Sequence, residues 1–110
     1  MHPTGILLDE RFRRHATGPG HPESPNRLKV IQEALGASGL LEECVSLPAA
    51  DPPDTLLQSV HTHDYLTRLD AACRQGYPYI DVPDSAICPE SFDIARLAAG
   101  GVMEAARRVA

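Results

Sequence analysis

The stretch from Gly18 to Arg27 holds the side chains best placed to do chemistry. These ten residues contain three prolines and two glycines around one histidine, one acid and one arginine. Because proline fixes φ and glycine opens the positive-φ region, the stretch is predicted to be a shaped loop. Such a loop presents His21, Glu23 and Arg27 with little conformational entropy left to lose. On these residues alone, a purely structural connection is an equal alternative.

Two further histidines are candidate metal ligands. His61 and His63 are separated by one residue, and residues two apart do not share a helix face. The alternative to a metal site is that His61 satisfies a backbone group at a helix start while His63 is exposed. The spacing favours this second interpretation.

The cysteines do not indicate a disulfide framework or a zinc knuckle. There are three, at positions 44, 73 and 88, an odd number without paired metal spacing. This usage predicts reduced, buried thiols and a reducing compartment, most simply the cytoplasm. The serines lack a nucleophile-elbow motif and the cysteines have apolar or proline-bounded neighbours, so a conventional nucleophilic enzyme is not indicated.

Composition indicates one small globular domain. The chain has 110 residues, of which 43% are apolar, enough to bury a core. Ten basic and fifteen acidic residues give a formal charge of −5, so neither a nucleic acid nor a membrane is an expected partner. The basic cluster of Arg11, Arg13 and Arg14 is interpreted as a solvated edge. No apolar run approaches the roughly 18 residues that a membrane span needs.

A strand, a helix and a second strand surround the Gly18–Arg27 stretch. The contiguous apolar residues of segment 4–10 predict a short buried strand, and segment 44–47 predicts another. Between them, Ser24 as N-cap and Pro25 at the first helical position predict a helix that Gly39 ends. Strand, helix and strand form the minimal parallel crossover, and ligands gather beyond the carboxyl ends of such strands.

Three more helices are predicted after the second strand. The first begins at Asp51 and Pro52, with Leu56, Leu57 and Val60 as its core face; the next is capped by Thr62 and runs to Gly76. Segment 77–89 has turn chemistry throughout, which is typical of a functional or mobile connection.

The last helix is predicted from Glu90 onward. Gly100 and Gly101 lie inside it, and close approach of another backbone is the expected compensation for their low helix propensity. Its pattern reaches Ala110 without a stop signal, so we expect a sequence that is cut short. The fold class is therefore α/β, with two short strands and about four helices.

Four motifs, in order along the chain, resemble the start of the histone deacetylase superfamily, especially its bacterial amidohydrolase and acetoin utilization members. The motifs are the loop at 18–28, Ser-Val-His-Thr-His-Asp-Tyr-Leu at 59–66, the acidic turn at 81–85 and Ser-Phe-Asp-Ile-Ala-Arg-Leu-Ala-Ala-Gly-Gly at 91–101. The resemblance covers nearly all of the chain. It implies residues 1–110 as the N-terminal segment of an arginase-like three-layer α/β domain with a parallel sheet.

The resemblance implies specific roles. The family hydrolyses acetyl-lysine or related acyl-amides with a zinc-bound water. Asp84 matches the rim aspartate that binds the substrate backbone, but the family's Asp-x-Asp is one residue longer here, so Asp81 is the alternative. Asp84 is favoured by its distance from the helix that follows. Arg27 matches the arginine of the internal channel behind the metal, and His21 is expected to fix the loop beside the active-site mouth.

The same resemblance implies that the catalytic and zinc-binding residues of the family lie outside these 110 residues. The family's catalytic histidine pair, zinc ligands and oxyanion-stabilising tyrosine follow later in its members, so neither a catalytic residue nor a metal ligand is assigned here. Zn²⁺ is implied with ligands outside this chain, and the 110 residues alone are expected to be inactive. Some relatives carry a structural zinc site, for which His15, His21 and a cysteine are candidates, although the Cys-x-Cys of such sites is absent.

The expected function is thus that of a deacetylase segment that supplies the active-site mouth and rim. Its partners would be the remainder of the domain and an acetylated lysine, a polyamine or another acyl-amide. The alternative is a non-catalytic structural or binding remnant of the fold.

Overall fold

A computed structural model describes residues 2–110. The two predicted strands are present as β1 (Thr4–Ile6) and β2 (Cys44–Ser46), but the prediction of burial is wrong, because their residues are exposed or half-buried. They pair in parallel, with Thr4 opposite Cys44 and Ile6 opposite Ser46. The predicted strand extends through segment 7–10, but β1 ends before it, because Asp9 caps a 3₁₀ helix (Glu10–Arg14) that turns the chain away.

The helix between the strands, α1 (Pro25–Ala37), follows the predicted boundaries. Pro25 opens it, and Gly39 beyond its end has a φ of 81°. A 3₁₀ helix (Leu40–Glu43) then leads into β2. The apolar stripe of α1 is not covered by the described residues: Leu28 is 37% exposed and Ile31 48%. α1 thus crosses between the strands with its apolar face open.

Two helices follow β2. α2 (Asp54–Gln58) is shorter than predicted and starts three residues later, because Asp51 and Pro52 each precede a proline and so avoid the helical region. The prediction of Val60 as a core residue is wrong: it lies beyond the helix and is 78% exposed. α3 (His63–Arg74) is capped by Thr62 as predicted, and buries Ala72 and Cys73.

The last helix, α4 (Ser91–Val109), packs against α3 and the 3₁₀ helix at 10–14. Its two glycines lie at close contacts, as predicted. A Cβ atom on Gly100 would overlap the carbonyl oxygen of Ala50, and one on Gly101 would overlap Cδ2 of Leu7. The small core is formed by Leu57, Ala72, Cys73, Ile80 and Leu97.

The segment between α3 and α4 is irregular but ordered by hydrogen bonds. Tyr79 and Ala86 form an antiparallel bridge, and the Ile80 amide donates to the Ser85 carbonyl over 3.1 Å. We call residues 78–88 the acidic hairpin. Across residues 2–110, none of the helices combines the length and apolar character required to cross a lipid bilayer.

Candidate functional site

The residues from Thr17 to Ser24, here called the proline-glycine loop, form a closed turn. Gly18 and Gly20 have φ values of 91° and 77°, in the region that favours glycine. The buried Thr17 hydroxyl donates to the Glu23 carbonyl, and the His21 amide donates to the Gly18 carbonyl. These bonds hold the loop in the shape that its prolines and glycines predict.

His21 joins this loop to the acidic hairpin. Its Nδ1 accepts a hydrogen bond from the Glu23 amide at 3.1 Å. Its Nε2 lies 3.0 Å from the Asp84 carbonyl oxygen and 3.5 Å from Asp84 Oδ1. The sequence predicts that His21 fixes the loop; the structure adds that it reaches a residue 63 positions away.

The two acids of the hairpin have different surroundings. Asp81 has a φ of 62°, and its carboxylate is paired with the Arg68 guanidinium, which lies 5.3 Å from the centre of the Tyr65 ring. The hydrogen bond and the charge of Asp81 raise the pKa of Arg68. The Asp84 side chain is 93% exposed, and its Oδ1 lies 3.5 Å from His21 Nε2. Asp81 is therefore engaged within the chain, whereas Asp84 projects outward.

Arg27 lies in the first turn of α1 and is exposed. Within residues 2–110 its guanidinium forms no ion pair and no side-chain hydrogen bond. It lines a pocket of about 190 Å³ together with His15, Glu23 and Leu28. The structure thus places Arg27 beside the proline-glycine loop, and its channel role stays a prediction.

A polar cluster that the sequence analysis did not identify ties the loop region to the start of α4. His15 Nδ1 lies 2.7 Å from the buried Ser91 Oγ, which also accepts from the Cys88 amide at 2.8 Å. Cys88 Sγ lies 3.1 Å from the Arg14 carbonyl oxygen and 3.3 Å from the Ala16 amide. In the sequence, the only local indication of this cluster is the Cys-x-x-Ser spacing of Cys88 and Ser91 across the start of α4.

The cysteines differ in their environments, so the prediction of buried thiols holds only for Cys73, which is fully buried; Cys44 and Cys88 are half-buried. Burial raises the pKa of Cys73. Burial also acts to raise the pKa of Cys88, but hydrogen bonds from Ser91 and from the Ala16 and Glu90 amides outweigh it and lower that pKa.

Residues 21–110 match the model of the histone deacetylase domain. This chain belongs to the histone deacetylase family. It is 32% identical over 114 residues to histone deacetylase 5 of Arabidopsis thaliana, covering 96% of this chain and 17% of that protein. It is 34% identical over 109 residues to a probable deacetylase of Archaeoglobus fulgidus, covering 96% of this chain and 30% of that protein.

A solved structure of the family has the same fold. The crystal structure of the HDA15 HD domain superposes with a TM-score of 0.81 at 30% identity, covering 91% of this chain and 30% of that chain. The predicted α/β deacetylase fold is therefore confirmed. The chain spans less than a third of each of these three histone deacetylase relatives.

The described residues do not assemble the zinc site of a deacetylase. No group of three or more His, Cys, Asp or Glu side chains in residues 2–110 could hold a metal ion. His61 stacks on Tyr65 at 5.4 Å, and His63 lies 3.5 Å from the Thr67 hydroxyl. The zinc site considered for His15, His21 and a cysteine is likewise not formed. Residues 2–110 therefore do not form a zinc-binding site by themselves.

An apolar groove of about 570 Å³ separates α1 from α3, α4 and the acidic hairpin. Its apolar lining includes Phe12, Leu28, Tyr65, Leu69, Ile80, Ile87 and Ile94. With the open stripe of α1, it leaves an extended apolar surface without a covering element among the described residues. Apolar surface of this extent is typical of an interface.

Proposed function

We propose that this chain is the N-terminal segment of a zinc-dependent deacetylase domain that hydrolyses acetyl-lysine or a related acyl-amide. The observation that carries the proposal is the Asp84 carboxylate, which projects into solvent from an anchored hairpin beside the proline-glycine loop. An exposed carboxylate on a fixed backbone can accept hydrogen bonds from a substrate's amide groups without first breaking an internal ion pair.

The choice of Asp84 over Asp81 follows from the ion pair with Arg68. Asp81 would have to leave Arg68 and its positive-φ conformation before it could bind a substrate. Asp84 requires no such rearrangement. In this proposal Asp84 is the rim residue, and Asp81 supports the hairpin that carries it.

Arg27 is proposed to line the internal channel behind the metal. Its guanidinium is available, and it lies next to His15 and Glu23 at the edge of the proline-glycine loop. An arginine at this position could bind a leaving carboxylate such as acetate in bidentate fashion. The zinc ion, which would polarise the acyl carbonyl and activate water, would be held by residues outside these 110.

The open faces of the chain support its place in a larger domain. The α1 stripe and the apolar groove would be covered by the remainder of the deacetylase domain, which accounts for most of the length of the relatives. The partners proposed are this remainder and an acetylated lysine, an acetylpolyamine or another acyl-amide. We propose the cytoplasm as the compartment because the cysteines are free thiols.

The test compares the 110-residue chain with the complete gene product. Zinc content and hydrolysis of an acetyl-lysine peptide are measured on both, and we expect bound zinc and turnover only in the complete product. Asp84→Asn should raise KM for the peptide about tenfold through loss of a charge-assisted hydrogen bond, whereas Asp81→Asn, the matched control, should change KM less. Stoichiometric zinc and turnover in the 110 residues alone would contradict the proposal.

The alternative to this function is a non-catalytic remnant of the fold that acts in binding or structure. A complete gene product that binds no zinc and hydrolyses no acyl-amide would support this alternative.

A further inference from the structure

Both ring nitrogens of His21 are engaged, and their partners define its tautomer. The Glu23 backbone amide can only donate, so Nδ1, 3.1 Å away, must accept. The proton of the neutral ring is then on Nε2, which donates to the Asp84 carbonyl oxygen at 3.0 Å. The His21 ring therefore accepts a hydrogen bond from the proline-glycine loop and donates one to the acidic hairpin.

The hydrogen bond from His21 to Asp84 is one of several contacts that anchor the acidic hairpin. Another is the Arg68–Asp81 pair, which holds the hairpin from the side of α3. Between the anchors, the Val82 amide donates to the Ile80 carbonyl at 2.7 Å and the Ser85 amide to the Val82 carbonyl at 2.9 Å. The backbone at Asp84 is therefore fixed from α3 and from the proline-glycine loop.

Burial does not fix the position of the Asp84 side chain. It is 93% exposed, and its Oδ1 lies 3.5 Å from His21 Nε2. The His21 side chain is 18% exposed and is held by its bond to Glu23. The half-buried, hydrogen-bonded histidine thus holds the Asp84 backbone from which the carboxylate projects.

We infer that His21 is a positioning residue that places the Asp84 carboxylate at the substrate rim through a hydrogen bond to the Asp84 backbone. The inference rests on the proposed role of Asp84 in substrate binding. It assigns His21 no contact with the reacting atoms. Its effect is on substrate binding, because a misplaced carboxylate pays an ordering cost when the substrate arrives.

Isosteric variants of His21 separate this role from a general structural one. The side-chain amide nitrogen of glutamine can reach the position of Nε2 and donate to Asp84, whereas the amide of asparagine can reach only the position of Nδ1. In the complete gene product, His21→Ala and His21→Asn should raise KM for an acetyl-lysine peptide about fivefold, the loss expected for one hydrogen bond. His21→Gln should restore KM to within about twofold, and kcat should change little in all three.

A double-mutant cycle with Asp84→Ala completes the kinetic test. If His21 acts through Asp84, His21→Ala should have no further effect on KM once the Asp84 carboxylate is gone. An undiminished His21→Ala effect in that background, or a His21→Gln variant as impaired as His21→Ala, would overturn the inference. The thermal midpoint of each variant shows how much of any effect comes from stability.

The tautomer gives a readout that needs no activity. Long-range ¹H–¹⁵N spectra of the neutral His21 ring should show a protonated Nε2 and an unprotonated Nδ1; the opposite tautomer would overturn the inference. A raised KM for Asp84→Ala with an unchanged KM for His21→Ala would refute the role of His21 alone. An unchanged KM for Asp84→Ala would refute the rim function and this inference with it.

Discussion

Gly100 of α4 lies directly against the backbone carbonyl of Ala50. A Cβ atom added at Gly100 would overlap the Ala50 oxygen and would lie 2.7 Å from the Pro52 nitrogen. Both neighbours are backbone atoms, which cannot move aside as a flexible side chain can. The contact joins the segment after β2 to the middle of the last helix, and it requires glycine there.

Gly100→Ala should therefore destabilise the fold despite the better helix propensity of alanine. We expect a loss of about 1–3 kcal/mol in the free energy of unfolding, typical of overpacking. The matched control is Gly36→Ala in α1, where a Cβ would meet only Leu41 Cδ1, at 3.7 Å. This variant should be neutral or stabilised by up to about 1 kcal/mol. Urea titration of both variants is the measurement, and equal stabilities would contradict the prediction.

The positive φ of Asp81 predicts an order of stability among its variants. Asp81→Gly removes the ion pair with Arg68 but also relieves the backbone strain of the positive φ. Asp81→Ala removes the same ion pair and keeps the strain. Asp81→Ala should be about 1 kcal/mol less stable than Asp81→Gly. Arg68→Ala removes the ion pair together with the contact to the Tyr65 ring, and it should cost little because both side chains of the pair are more than half exposed. Thermal unfolding of the three variants tests this order.

The two predicted N-caps should differ in their contribution to stability. The Thr62 side chain accepts a hydrogen bond from the Tyr65 amide at 3.1 Å, whereas the Ser24 side chain makes no capping bond to α1. Thr62→Ala should cost about 1 kcal/mol, and Ser24→Ala, its control, should cost clearly less. A Ser24→Ala variant as unstable as Thr62→Ala in chemical denaturation would show that the two caps are equivalent.

Asp9 should make the fold acid-sensitive over a defined range. The side-chain hydrogen bond from Arg11, together with that from the Arg11 amide, lowers the pKa of Asp9 from 3.8 to about 2. Because the folded pKa is the lower one, ionised Asp9 stabilises the fold above pH 3.8, and this contribution is lost as the pH falls towards 2. Carboxyl ¹³C titration should show the low pKa.

The control for Asp9 is Asp9→Asn, which should have weaker pH dependence of stability across the same range. Arg11→Ala should return the carboxyl pKa towards its usual value. An Asp9 carboxyl that titrates near 3.8 in the unmodified chain would contradict the prediction.

The thiols of Cys73 and Cys88 should react at different rates. Burial excludes reagent from Cys73 and raises its pKa, whereas hydrogen bonds to Cys88 lower its pKa. Since the thiolate is the reactive form, iodoacetamide at neutral pH should modify Cys88 first. Ser91→Ala removes a donor to Cys88 and should slow that reaction. Peptide mass spectrometry measures both rates, and faster modification of Cys73 would refute the assignment.

The element order could be predicted from the sequence because the signals are local. Pro25 opens α1, Thr62 caps α3, and the glycine pair of α4 by itself predicts the close approach of another backbone. The wrong start of α2 was also a local matter, since Asp51 precedes Pro52 and Pro52 precedes Pro53. The exposure of the α1 stripe could not be predicted locally. The helical period of its apolar residues predicts an apolar face but does not show which element covers that face.

The sequence by itself determined where α1 and α3 begin, the strand-helix-strand order and the motifs by which the chain resembles its family, since each of these depends on residues close together along the chain. Only the tertiary structure decided that Arg68 engages Asp81, that His21 reaches Asp84, and that Ser91 joins His15 to Cys88. The physical reason is that a hydrogen bond depends on distance and direction in space. Partners 63 or 76 positions apart are brought into range by packing, which no local pattern specifies.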